Sequence, residues 1–225
     1  ISKCSWGHQT KLHTNVSDEI DEIIKKIIEA PLVTEPFHYL YLTDIFPPEF
    51  YARMMRNMGV EYKSIAEARG VKGYPDRSVH EPKNEFWSAL DKKMLDGRLK
   101  LAVCAKFGRY DHTFKDETLL IRDSTGYKIG PHTDNPNKVA TLLFYLPIND
   151  SLKDAGTSIY VPKKNGHKCK GDRHWFAKDF NCIKTMPYVP NSMFAFLKSD
   201  VSFHGVEPFT GQGFRNTLLY DLRTA

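Results

Sequence analysis

From about residue 100 onward the chain alternates short β-like runs with turn-rich connectors, and this rhythm limits its fold more than any other feature. The runs are "ETLLIRDSTGYKIG" from Glu117, "VATLLFYLP" from Val139, "GTSIYVP" from Gly156, "SMFAFL" from Ser192 and "FRNTLLYDL" from Phe214. Short strands at such spacing predict a sandwich or barrel. The connector over 163–191 is long for a plain loop, and long connectors in compact domains commonly carry function. It is expected to cover a rim of the β core.

Upstream the period changes to that of helices. "SDEIDEIIKKIIEAP" places Ile20, Ile23, Ile24, Ile27 and Ile28 on one stripe, with Ser17 as N-cap, acids in the first turn and Pro31 beyond the end. "EPFHYLYLTDIF" reads as a strand. "PPEFYARMMRNMG" reads as a second helix, with Pro at its start and Gly59 after its end. A third, "NEFWSALDKKMLDG", has Phe86, Leu90 and Met94 four apart and stops at Gly97. The aromatic and methionine stripes read as core. The expected organisation is one domain over 1–225, mainly β with flanking helices: a helical support region with an early strand over 1–100 and a β core over 101–225.

A chain of 225 residues, 41% hydrophobic and 26% charged, can bury one substantial core. No apolar run approaches the roughly 20 residues of a membrane-spanning helix, so no membrane partner is expected. The net charge of +5 is spread among acids without a basic run, which argues against a nucleic-acid partner. Cys4, Cys104, Cys169 and Cys182 contain no CxxC pair, which predicts a reducing, cytoplasmic setting.

The chemistry concentrates in "GYKIGPHTDNP", residues 126 to 136. His132 and Asp134 are costly to bury unless hydrogen-bonded, paired or metal-bound. Two apart in a strand they point the same way. A third donor, His204, lies in "SDVSFHGVEPFTGQGFRNTLLYDL", with Arg215 eleven positions later. Two imidazoles and one carboxylate form the facial triad that holds a non-haem Fe(II) and leaves positions open for substrates.

This constellation resembles the Fe(II)/2-oxoglutarate-dependent oxygenases, whose HxD…H…RxS motif reads here as His132-Thr133-Asp134, His204 and Arg215-Asn216-Thr217, with Thr where many relatives have Ser. The resemblance covers the β half of the chain and implies a double-stranded β-helix, or jelly-roll, as its catalytic core. It also implies Fe(II), 2-oxoglutarate as cosubstrate, O2, and hydroxylation of a C–H bond in a small molecule or an amino-acid or peptide side chain, with release of succinate and CO2. His132, Asp134 and His204 would be the metal ligands. Arg215 would pair with the distal carboxylate of 2-oxoglutarate, and Thr217 would add a hydroxyl. The guanidinium's rigid fork suits that task.

"NKVATLLFYLP" followed by "GTSIYVP" looks most like the prolyl-hydroxylase branch, in which Thr141 would face the cosubstrate; Tyr127 joins the cosubstrate contacts. Two positions depart from that branch: Arg215 stands where Lys is common, and Asp123 where a tyrosine often precedes the first ligand. Arg122 and Lys128, read as sharing the parity of His132 on one strand, are candidates for contacting an anionic substrate. The alternatives are a binding protein on the same barrel that keeps a metal without turnover, or a zinc-loop interaction module using His167, Cys169, His174 and Cys182. A binding module has no need of a carboxylate clamp, and the second cluster matches no compact finger spacing. His8, His13, His38, His80 and His112 carry no motif.

Overall fold

The computed structural model describes residues 16–225 except His112 and Asp172. Cys4, His8 and His13 lie outside the described residues, as do His112 and the side chain of Ser17 on which the expected helix cap rests. Helix α1 (Val16–Glu29) buries Ile20, Ile23 and Ile27 and leaves Ile28 exposed at the edge of the stripe. Helices α2 (Pro48–Arg56) and α4 (Glu85–Met94) follow as read from the sequence, and strand β1 (Tyr39–Leu42) lies between α1 and α2.

Several elements carry no strong sequence signal. β2 (Lys63–Ser64), α3 (Ile65–Arg69) and β3 (Arg77–Val79) are too short to show a period. Helix α5 (Arg98–Phe107) starts immediately after Gly97, which reads as a stop, and its buried face includes the small residues Ala102 and Cys104. Helical structure therefore continues to Phe107, and the first long strand begins at Lys115.

The remaining strands are β4 (Lys115–Ser124), β5 (Ile129–His132), β6 (Lys138–Tyr145), β7 (Ser158–Pro162), β8 (Phe180–Thr185), β9 (Ser192–Leu197), β10 (His204–Val206) and β11 (Phe214–Arg223). They form two antiparallel sheets, ordered β1-β9-β6-β11-β4-β3-β2 and β5-β10-β7-β8. The 163–191 connector thus contains a strand, β8, at the edge of the smaller sheet. The run "ETLLIRDSTGYKIG" is likewise two strands in different sheets, separated by a turn in which Gly126 takes φ +95°. That left-handed conformation favours glycine and lets the chain cross from one sheet to the other.

Strand parity divides the large sheet into two faces. Leu142 and Phe144 of β6 and Leu218, Tyr220 and Leu222 of β11 pack against α1, α4 and α5 in one core. Tyr145, Phe194 and Phe196 turn the other way and meet Ile159 and Val206 of the smaller sheet. Both faces are covered, which is why these strands read as nearly continuous apolar runs. Each such buried large side chain contributes about 1.5–3 kcal/mol. Along β11 the residues interleaved with the helix-facing set, Arg215, Thr217 and Asp221, look between the sheets, and there the polar site lies.

Candidate metal centre and carboxylate pocket

His132 ends β5 and His204 begins β10, and the two are direct partners across the antiparallel pair. Asp134 follows two residues beyond His132. One donor atom from each lies within 4.8 Å of the others, and among the described residues no other group of three His, Cys, Asp or Glu side chains meets that condition. The His167, Cys169, His174 and Cys182 set therefore does not assemble as a metal site.

The hydrogen bonds fix which atoms face the centre. Nδ1 of His132 lies 2.9 Å from the Gly130 carbonyl, and Nδ1 of His204 lies 2.9 Å from the Ser202 carbonyl. A carbonyl only accepts, so each Nδ1 carries a proton, and in a neutral ring Nε2 is then the atom that keeps the lone pair. Both Nε2 atoms lie 3.7 Å from Oδ1 of Asp134. Its other oxygen, Oδ2, accepts from Thr141 at 2.9 Å and has Lys138 Nζ at 3.4 Å. One carboxylate oxygen is held by protein donors while the other is left for a cation.

Protonation agrees with this geometry. Burial, reinforced by His132, pushes His204 down to about 3, so its imidazole is neutral near neutral pH. Burial acts to raise the Asp134 carboxyl, but Lys138 and the two imidazoles outweigh it and hold the group well below the ordinary carboxylate range. Neutral imidazole and ionised carboxylate are the forms that ligate a metal.

A second polar group spans three neighbouring strands of the large sheet. Arg77 of β3, Asp123 of β4 and Arg215 of β11 are cross-strand partners in one row. Asp123 is fully buried; it accepts from Arg77 Nε at 2.6 Å and Nη2 at 3.0 Å, and from Arg215 Nη1 at 2.9 Å. Arg215, 2% exposed, also donates Nε to the Ala155 carbonyl at 2.6 Å. Nearby, the Tyr127 hydroxyl and Thr217 Oγ1 are buried without a hydrogen-bond partner among the described residues. Burial pushes the Tyr127 phenol up, so it stays a neutral donor. Two orphaned hydroxyls beside a guanidinium call for an acceptor that the protein itself does not supply.

Arg77, Arg215, Tyr127 and Thr217 line one cavity of ≈ 100 Å³ with His132, Asp134 and His204. A cleft of ≈ 360 Å³ shares the metal-side residues and is bounded further out by Arg69, Tyr74, Arg173 and His174. The connector forms part of this rim. Thr133 donates its hydroxyl to the Cys169 carbonyl at 2.7 Å, and the Trp175 amide donates to the Pro131 carbonyl at 2.8 Å. Gly171 packs so closely that a Cβ there would lie 2.0 Å from the Asp134 carbonyl oxygen. His174 is thereby set with its ring 4.7 Å from that of His132, and the Tyr74 hydroxyl lies 3.3 Å from its Nε2.

Arg122 and Lys128 are placed otherwise than the strand-parity reading expected. Parity cannot be counted through the Gly126 turn, and on β4 the residue beside inward-facing Asp123 must face outward. Arg122 accordingly donates to Asn216 Oδ1 at 2.9 Å, lies over the Tyr62 ring at 3.8 Å and lines a separate cavity. Lys128 is exposed in the turn, outside the lining of both cavities at the triad. Thr141 lines the inner cavity, but its hydroxyl lies between two carboxylates, Asp134 Oδ2 and Asp221 Oδ1 at 3.0 Å. Replacing it with isosteric Val is expected to lower metal affinity about tenfold, the low end for removing a ligand's hydrogen-bond partner. Metal titration together with cosubstrate titration checks this: a change confined to the cosubstrate would place Thr141 on the organic acid instead.

Arg77, Lys138 and Asp221 belong to the site although no motif announces them. Lys138 bridges Asp134 and Asp221, with its Nζ 2.9 Å from Asp221 Oδ1. Its spacing of four from Asp134 was visible in the sequence, but such a spacing is common and carries little information by itself.

No family model matches the chain, and no curated protein matches it in sequence. Its fold does have solved counterparts. It is similar to HygX from Streptomyces hygroscopicus, solved with nickel, 2-oxoglutarate and hygromycin B bound, at 11% identity over 83% of each chain and a TM-score of 0.54. A prolyl hydroxylase from Trichoplax adhaerens, in complex with a hypoxia-inducible-factor peptide fragment, matches 96% of this chain and 94% of its own at 14% identity and TM-score 0.55. A Pseudomonas putida prolyl-4-hydroxylase matches 93% and 99% at 14% identity and TM-score 0.53. The chain therefore has the jelly-roll fold of the 2-oxoglutarate and iron oxygenases. Within that fold it carries a His-Asp-His triad able to hold a metal ion.

Proposed function

We propose that the protein is a non-haem Fe(II)- and 2-oxoglutarate-dependent oxygenase that hydroxylates a C–H bond of a small molecule or of an amino-acid or peptide side chain, releasing succinate and CO2. The observation that carries this reading is one cavity lined both by the metal triad and by the guanidiniums and orphaned hydroxyls of a carboxylate clamp. The charges match the ligands. At the clamp, Arg77 and Arg215 share one carboxylate, Asp123, which leaves one positive charge over. At the metal end Lys138 lies between Asp134 and Asp221, and Asp221 also pairs with Arg223, so the carboxylates there are matched by cations and a divalent ion at the triad would add positive charge. A dicarboxylate would meet positive charge at both places, where an unpaired buried charge would be costly.

His132, Asp134 and His204 would hold Fe(II), which when bound supplies the activation of O2 coupled to decarboxylation of 2-oxoglutarate. Arg215 would take the distal carboxylate, and the Tyr127 and Thr217 hydroxyls would donate to it. Lys138 and Thr141 hold Asp134 Oδ2, which would leave Oδ1 for the metal. Ile129, Leu143 and Phe196 add apolar surface to the inner wall and limit water there. The primary substrate would enter by the outer cleft, whose arginines, His174 and Tyr74 suit a polar molecule or peptide side chain.

Anaerobic addition of Fe(II) and then 2-oxoglutarate to the purified protein is expected to give a weak visible charge-transfer absorption, and admission of air to give succinate. Iron binding with neither the absorption nor succinate would support a metal-retaining protein without turnover and defeat the oxygenase assignment.

A further inference from the structure

The clamp contains a carboxylate that, acting alone, would disable it. Asp123 accepts from Arg215 at 2.9 Å inside the protein, so those two groups by themselves form a neutral pair and offer an incoming anion little attraction. Arg77 changes the balance. It binds the same carboxylate through Nε and Nη2, stacks over the Tyr127 ring at 4.4 Å and lines both the inner cavity and the outer cleft. Each arginine keeps an amino group that bonds no protein atom among the described residues: Nη1 of Arg77 and Nη2 of Arg215.

Resting on the oxygenase reading, we propose that Arg77 is a second binding residue for the cosubstrate's distal carboxylate: the anion is received by an Arg77–Asp123–Arg215 row of three adjacent strands, in which Arg77 restores the positive charge that Asp123 cancels. A row of plus, minus, plus, with Asp123 and Arg215 buried and Arg77 half-buried, carries one net charge across three adjacent strands, the complement of one carboxylate. The cross-strand register sets the spacing of the two guanidiniums, so the clamp belongs as much to the helical half of the chain, through β3, as to the β core.

The charge logic makes predictions of opposite sign for neighbouring residues, which a merely structural salt bridge would not. The measurement is the dissociation constant of 2-oxoglutarate for the anaerobic Fe(II)-loaded protein, by calorimetry and absorbance, with Fe(II) affinity measured in parallel. Arg77→Gln is expected to weaken 2-oxoglutarate at least about tenfold, with Fe(II) affinity within about twofold of wild type. Asp123→Asn, which keeps an acceptor for both arginines and raises the net charge, is expected to bind at least as tightly as wild type. The Arg77→Gln/Asp123→Asn pair is expected to recover most of the loss, because Arg215 is then no longer neutralised. 2-Oxobutyrate, which has no distal carboxylate, is expected to be indifferent to all three changes.

If Arg77→Gln does not fold with Asp123 left to one partner, the Asp123→Asn and paired variants still decide the matter. Weaker binding by Asp123→Asn, a paired variant no better than Arg77→Gln, or an equal loss for 2-oxobutyrate would each overturn the proposal. So would unchanged 2-oxoglutarate affinity in Arg77→Gln while wild type binds it. Wild-type protein that binds Fe(II) but no 2-oxoglutarate would instead remove the oxygenase reading, and this inference with it.

Discussion

Replacing His204 with Ala is expected to lower Fe(II) affinity by roughly 100- to 1000-fold, scaling from the roughly 10–16 kcal/mol of four-ligand structural zinc sites, about 3 kcal/mol per ligand. The same holds for His132. Each imidazole is already oriented to ligate, with Nδ1 tied to a backbone carbonyl and Nε2 turned to the shared centre, so little reorganisation offsets the loss. The variant should remain folded, because His204 contributes a neutral ring packed 4.3 Å from that of Phe196 and no buried charge loses its only partner. Calorimetric titration of Fe(II) under anaerobic conditions, with thermal unfolding of the metal-free protein as control, checks both halves. Fe(II) affinity within tenfold of wild type in His132→Ala and His204→Ala alike would show that the ion binds elsewhere.

Arg215→Ala is expected to have the next largest effect, raising the dissociation constant of 2-oxoglutarate by an amount equivalent to about 2–5 kcal/mol, as for truncation of one partner of a buried charge pair. Fe(II) affinity should move much less, since Arg215 touches none of the three ligands. Asp123 keeps the two bonds from Arg77 after the change, so a folded variant is expected despite the buried position. Some stability will be lost with the guanidinium that sits 5.7 Å from the Tyr145 ring and 5.5 Å from that of Tyr188. Arg215→Lys separates the causes: it retains charge and volume but not the fork, and should recover part of the affinity. Unchanged affinity for 2-oxoglutarate in Arg215→Ala would move the clamp to another cation, Arg77 and Lys138 being the other two that line the cavity.

Much of the architecture could be read from periodicity. The isoleucine stripe of α1 and the Pro- and Gly-bounded α2 and α4 lie where the spacing put them, because an amphipathic helix records its buried face every three to four residues. α5 escaped because small residues weaken its stripe and Gly97 counterfeits a terminus. β8 escaped because four of its six residues are exposed and the strand shows no buried alternation. The turn at Gly126 hid a change of sheet within one apparent run, and the side-chain directions assigned across it to Arg122 and Lys128 were lost with it.

The sequence by itself determined the donor chemistry: His132, Asp134 and His204 as a set, and Arg215 with Thr217 two residues on, since ligand type and the period of a strand are local properties. Only the tertiary structure decided which other charges serve the site. Arg77 precedes Asp123 by 46 residues and reaches it because β3 lies beside β4, and Asp123 meets Arg215 from 92 residues away because β4 lies beside β11. Lys138 becomes part of the metal end because Asp221, from β11, completes its charge pair. Register between strands distant in sequence is set by backbone hydrogen bonding and by the packing of both sheet faces, and no local pattern encodes which charged side chain will stand next to which.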